Sequence, residues 1–376
     1  MERNSAIDCI RVFAIISVIF MHVEGMGIPY AVFAKLISHS GQFAVVFFMV
    51  IAGYLWGKKI RAGNAVGSIY AGYTCRILTL FLLWSLLYLV IPRNTREISY
   101  YLHAVSHYGV LSLIDVPYRR LLGVVEEQGG SLRGALYIFL TGTKYHLWFL
   151  MALAWASTIT ATMVKWKRES LLMWVGACFY AFEVLSRLLS AASPDFSLPF
   201  NARYGPFFGT IFFALGWRLS SRRRPFGLTP AIALLSGGFA LLAVDILVIR
   251  NPFGSVVLEP FLETTVGVGF VLLALASPSL GGGTILASLG QYTLGIYVMH
   301  PLFIDLFMPF AHYIPRGVRD LAIPAVVFLF SALAAIILQK NRVLGRFVAT
   351  SRTKGFNKKG SPLPGHTQPD ELVYAP

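Results

Sequence analysis

An all-α, polytopic membrane protein is what this chain predicts, and three observations predict it. Apolar residues fill 56% of the 376 positions and charged residues only 13%, where soluble domains carry about 25% charged residues. The apolar residues fall into runs of about 17–25, the length a helix needs to cross a bilayer. Lysines and arginines collect between alternate runs, as they do in short cytoplasmic loops.

About ten transmembrane helices are expected, near 6–24, 41–57, 76–93, 146–164, 171–190, 204–219, 230–249, 260–277, 290–310 and 321–340. The second and sixth are short and contain glycine. Leu132 to Thr141 is apolar but too short to span, which suits an interfacial or re-entrant helix. With the N-terminus inside, nineteen Lys and Arg fall on the inner side and twelve on the outer, six of the twelve in or beside the long 94–145 loop. Long loops weigh less in this rule, so both termini are expected in the cytoplasm. The formal charge of +15 is then topological, and nucleic-acid binding is not expected.

The chain divides into a membrane domain over residues 1–340 and a tail over 341–376. That tail is basic, rich in Gly and Pro and without apolar periodicity, so disorder against anionic lipid is the reading. The first run is read as a mature helix and not a signal peptide, because Arg11 interrupts it and no small-x-small cleavage site follows before Pro29. Cys9, Cys75 and Cys178 sit in or beside apolar runs, as structural thiols do.

The first run, IDCIRVFAIISVIFMHVEG, carries Asp8, Arg11 and His22. Ionisable groups on a spanning helix are costly and mark functional sites. At about 100° and 1.5 Å per residue, Arg11 and His22 share nearly one helix face, about 16 Å apart along the axis. The plain alternative is an arginine snorkelling to one interface with a histidine at the other.

The topology gives the remaining polar residues a depth. Arg11, Arg76 and Arg218 lie toward the inner side, suited to phosphate through the planar guanidinium fork. His22, Glu24, His146, Glu183, Arg187, Asp245, Glu259, Glu263 and Asp305 lie toward the outer side, with His300 near mid-depth. Imidazole and carboxylate suit hydroxyl binding and proton transfer. Glu183 and Arg187, four apart, have a structural reading as a neutralising pair. The pattern resembles a two-sided enzyme, with a phosphate-bearing donor entering from the cytoplasm and a hydroxylated acceptor waiting outside.

Other motifs exclude rather than suggest. His103 and His107 have helical i, i+4 spacing without the Glu of a metalloprotease helix, so no metal is expected. Gly281-Gly282-Gly283 lacks the following Lys-Ser/Thr of a P-loop. No G-x-S-x-G elbow occurs, which argues against serine-hydrolase chemistry.

Four blocks in order resemble the acyltransferase-3 family of multi-pass membrane acyltransferases. They are the Arg-x10-His pair of Arg11 and His22, GQFAVVFFMVIAGYL in the second span, YHLWFL opening the fourth, and LGQYTLGIYVMHPL in the ninth. The resemblance implies an acyl-CoA-dependent O-acyltransferase moving an acyl group, most often acetyl, to a hydroxyl of a surface or exported carbohydrate. It implies His22 as the catalytic residue, Arg11 as a binder of the donor or organiser of its channel, and Arg76 as the second arginine of the family's Arg-x-x-Arg motif. Tyr73 stands where the first arginine is expected, so Lys58, Lys59 or Arg218 are candidates to compensate. Ala52 replaces the usual serine of the second block.

His146, Tyr297 and His300 are candidates to bind substrate and stabilise the oxyanion. No cofactor is expected to be bound, acetyl-CoA or another acyl-CoA being a co-substrate. The expected partners are the lipid bilayer, a polysaccharide or lipid-linked saccharide acceptor and the polysaccharide synthesis machinery. The expected location is the bacterial inner membrane, in a compact branch resembling exopolysaccharide and enterobacterial-antigen acetyltransferases. Direct transfer and an acyl-histidine intermediate stay open. So do two further readings: a transporter or flippase for a carbohydrate or lipid-linked saccharide, and a scaffold for a polysaccharide synthase.

Overall fold

The computed structural model describes residues 3–24, 41–92, 95–109, 112–127, 130–193, 195–196, 198–222, 225–247 and 252–349, and among these it is helical without a strand. In chain order the helices are α1 (Ser5–Glu24), α2 (Phe43–Arg61), α3 (Val66–Val90), α4 (Thr95–Tyr108), α5 (Ser112–Glu127), α6 (Ser131–Thr141) and α7 (Trp148–Lys165). They continue as α8 (Glu169–Ala192), α9 (Pro206–Ser220), α10 (Leu228–Leu247), α11 (Pro252–Ala276), α12 (Ile285–Leu289), α13 (Thr293–Phe307) and α14 (Arg316–Lys340). A 3-10 turn, Tyr145–Leu147, leads into α7.

Nine stretches among the described residues are long and apolar enough to cross a membrane. The sixth expected span is the exception. Pro206 opens α9, which has only 15 residues, about 22 Å at 1.5 Å per residue against about 30 Å of hydrocarbon. It is nonetheless central, for Phe208 and Phe213 are fully buried in the core.

Small residues explain how so short a helix is held. A Cβ built on Gly53 would lie 2.1 Å from the Phe213 carbonyl oxygen, and one on Gly216 would lie 2.0 Å from that of Val50. Without glycine at these positions the two backbones cannot approach, which is the small-xxx-small rule of helix packing in lipid. Gly53 faces Phe213 and Gly57 faces Ser220, so α2 and α9 run parallel. Thr74 hydrogen-bonds Ser157 at 2.9 Å while the Thr143 hydroxyl donates to the Ser85 carbonyl at 2.5 Å, so α3 and the segment leading through α7 run antiparallel. Asp8 packs on Gly290 and His22 on His300, making α1 and α13 parallel. Each direction agrees with alternate crossing in the expected order.

Packing continues past the end of α14. Residues 344–347 form a 3-10 turn, Val348 is buried, and the Phe347 carbonyl accepts the Trp84 indole N–H at 2.8 Å. Apolar side chains and paired carbonyls thus extend the packed domain to residue 349, and residues 350–376 of the expected tail lie outside the described residues.

Candidate active site

Helices α1, α2, α3, α7 and α13 enclose a cavity of about 1140 Å³. The exposed residues Arg3 and Lys59 mark its mouth, beside Gln339 and Ala349. Both ends of the described chain therefore reach the cavity. The cavity passes Asp8, Arg11, Tyr73 and Trp56 and ends against His22, His146, Trp148 and Tyr297. Arg11 and His22, paired on one face by helical spacing, both line it.

Asp8 organises the inner part. Its carboxylate accepts from Arg3 Nε at 2.7 Å and from Arg11 Nη1 at 3.2 Å. Arg3 in turn donates to the Ala287 carbonyl at 2.6 Å, so α1 is tied to α12. One carboxylate between two guanidiniums leaves a net cation inside an apolar bundle, where attraction for an anionic ligand is screened less than in water.

Three imidazoles meet at this end, His300 packed behind the two that line the cavity. The His22 and His300 rings stack, 5.3 Å between centroids and 17° between planes, and His146 meets His300 at 5.4 Å with the rings nearly perpendicular. Tyr297 lies 5.4 Å from the His146 ring, and its hydroxyl donates to the His146 carbonyl. His300 Nδ1 donates to the Tyr297 carbonyl at 2.6 Å. Beyond the cluster, Lys144 Nζ pairs with Asp305 at 2.5 Å and lies within 6 Å of the Tyr88 and Tyr145 rings. None of these four residues lines the cavity.

Arg76 stands apart from the other expected site residues. Its guanidinium donates to the Ala349 carbonyl at 2.9 and 2.6 Å and to the Arg346 carbonyl, and it does not line the cavity. Its observed contacts bind the segment after α14, whose Ala349 forms part of the mouth. Tyr73, where the first arginine was expected, does face the cavity. Of the candidates to compensate, Lys59 lines it, whereas Arg218 lines a separate pocket of about 190 Å³ with Arg61 and Trp217.

The expected Glu183–Arg187 pair is present at 2.9 Å but belongs to a larger network. Arg187 also meets Glu259 at 2.9 Å, and Arg203 meets Glu263 at 2.5 Å. The Arg203 guanidinium lies 4.3 Å from the Phe208 ring centroid and 5.9 Å from that of Trp148, which lines the cavity. Arg203 escaped the depth reading because it sits between apolar runs. Among the described residues no three His, Cys, Asp or Glu side chains are grouped to hold a metal.

An all-helical, multi-pass membrane protein with an internal cavity, cationic toward its mouth and lined by two imidazoles further in, is the class these features define. The family model described as an acyltransferase domain, that of the acyltransferase-3 proteins, matches residues 4–339. The chain belongs to that family and is a membrane acyltransferase. No curated protein and no solved structure matches the chain.

Proposed function

We propose that the protein is an acyl-CoA-dependent O-acyltransferase of the bacterial inner membrane, with both termini cytoplasmic. It takes an acyl group, acetyl in the first instance, from cytoplasmic acyl-CoA to a hydroxyl of a surface or exported carbohydrate. The observation that carries the reading is one continuous cavity lined by Arg3, Arg11 and Lys59 as well as by His22 and His146. Guanidinium and ammonium at its mouth suit the phosphates of CoA, and the imidazoles further in suit proton transfer.

In this scheme His22 takes the proton of the acceptor hydroxyl, and the oxygen attacks the thioester carbonyl carbon. The tetrahedral intermediate collapses with cleavage of the C–S bond, and the CoA thiolate recovers the proton from His22. General-base help of this kind contributes about 10²–10⁴-fold.

The test is CoA release by the purified full-length chain given acetyl-CoA and envelope polysaccharide from a strain lacking the gene. Wild type is expected to release CoA as the polysaccharide gains acetyl groups, and His22→Ala to do neither while eluting as a folded protein. Transport of a saccharide without thioester consumption would replace this reading with the exporter one, and full activity in His22→Ala would remove the general base.

A further inference from the structure

We propose that His146 is the oxyanion donor of this site, its ring N–H holding the thioester oxygen as the tetrahedral intermediate forms. The proposal rests on the transferase reading above and deepens it. Beside the general base and the Trp148 indole, three side chains at this end have donors to weigh: Tyr297, His300 and His146. The structure commits the hydrogens of two of them elsewhere.

A phenol has one hydrogen, and that of Tyr297 is given to the His146 carbonyl. A carbonyl oxygen only accepts, so the Nδ1 that meets the Tyr297 carbonyl at 2.6 Å carries the His300 proton. The reason is local. Pro301 lies inside α13 and has no N–H, so the carbonyl four residues back, that of Tyr297, lacks its helical donor and His300 fills the vacancy. The Nε2 of neutral His300 is then a lone pair, buried and without a partner, and it has nothing to donate.

His146 differs on each count. It lines the cavity, its residue is 1% exposed, and neither ring nitrogen has a hydrogen-bond partner among the described residues. The Val298 carbonyl lies beside the ring but outside hydrogen-bond geometry with either nitrogen, and it accepts the Tyr88 hydroxyl at 2.8 Å. A neutral imidazole carries one N–H, and a buried donor left unmade costs about 1–3 kcal/mol, so His146 retains a hydrogen bond to give. His22 and His146 both face the cavity, each ring 5.3–5.4 Å from His300. As the acceptor oxygen bonds to the carbonyl carbon, the C=O electron pair moves onto oxygen and His146 donates to it. When the C–S bond breaks, that pair re-forms the carbonyl and the hydrogen bond relaxes.

Initial rates of CoA release with acetyl-CoA and the same polysaccharide test this. His146→Phe keeps ring volume without a donor, and His146→Gln keeps an N–H donor without the ring. The Phe variant is expected to lose about 10²–10³-fold in kcat, with KM for acetyl-CoA within about twofold of wild type. The Gln variant is expected to recover about tenfold over Phe. A Phe variant within threefold of wild type, or a Gln variant no better than Phe, overturns the assignment. A wild type that releases no CoA overturns the transferase reading and this assignment together, so the two failures are told apart on the wild type itself.

Discussion

His300 donates from Nδ1 to the carbonyl of Tyr297, the acceptor that Pro301 leaves without its helical amide. That one bond sets the imidazole's tautomer and its orientation against His22, whose ring it overlaps at 5.3 Å. A proline in a spanning helix is tolerated where a neighbouring group satisfies the freed carbonyl. Here the neighbour is a candidate site residue, so backbone geometry and site chemistry share a single hydrogen bond.

Pro301→Ala returns an amide N–H to position 301 and competes with His300 for the Tyr297 carbonyl. The expected result is a thermal midpoint no lower than wild type, since a helix-interior proline costs about 3 kcal/mol, together with a kcat lowered about tenfold at unchanged KM for acetyl-CoA. Measuring both on one preparation decides it. An unchanged kcat would mean that the His300 tautomer has no part in turnover.

Arg11 and Asp8 give a prediction on the donor side. Arg11→Gln removes one guanidinium but leaves Asp8 paired with Arg3 at 2.7 Å, so no buried carboxylate is stranded and the fold is expected to survive. A lost charge-assisted hydrogen bond to phosphate weakens binding by about 1.5–3 kcal/mol, or about 10–100-fold in KM for acetyl-CoA. Isothermal titration with CoA provides an independent reading. Unaltered affinity there would detach Arg11 from the donor.

How much of this was readable from the sequence depends on the distance over which each partner acts. Arg11 and His22 both line the cavity, as their spacing predicts, because helical periodicity is local and α1 has the expected length. The Glu183–Arg187 contact was readable for the same reason. Arg76 was not: its carbonyl partners at 346 and 349 lie some 270 residues away, and no periodicity connects them. Arg203 was missed because depth was assigned only inside apolar runs, and its partner Glu263 lies 60 residues on. The tautomer of His300 was within reach, for the order Tyr297-x-x-His300-Pro301 already leaves a carbonyl orphaned at i−4. The shortness of α9 was readable, the run 204–219 having 16 residues and the helix Pro206–Ser220 having 15, whereas its burial against α2 depends on contacts some 160 residues apart and was not.

The packing of α9 on α2 gives a stability prediction with its own control. Gly216→Ala places a methyl 2.0 Å from a backbone oxygen, which no side-chain rotation relieves. The helices must separate, at a cost of about 1–3 kcal/mol by analogy with overpacked cores. Gly237→Ala in α10 has nothing within 4 Å of the added carbon and should be neutral or stabilising by about 0.5–1 kcal/mol. Thermal unfolding of the two variants should move in opposite directions or leave Gly237→Ala unchanged. Equal losses in both would refute close backbone approach as the reason for glycine at 216.

The network around Arg203 makes the sharpest contrast between charge and packing. Glu183 and Glu263 are fully buried, and Arg203 meets Glu263 at 2.5 Å and Glu183 at 3.9 Å while Arg187 holds Glu183 and Glu259. Removing one partner of a buried pair leaves an uncompensated charge and costs about 3–5 kcal/mol, whereas replacing both by apolar groups is often neutral. Arg203→Met is therefore expected to destabilise strongly, and Arg203→Met with Glu263→Met to regain most of the loss. The network serves rigidity alone if the double variant also keeps full turnover. Because Arg203 lies beside Trp148 in the cavity wall, we expect the double variant to be stable yet lower in kcat. Stability and turnover measured together separate the two roles, and a double variant no more stable than Arg203→Met would show that the cost lies in lost packing on Phe208 and not in the stranded carboxylate.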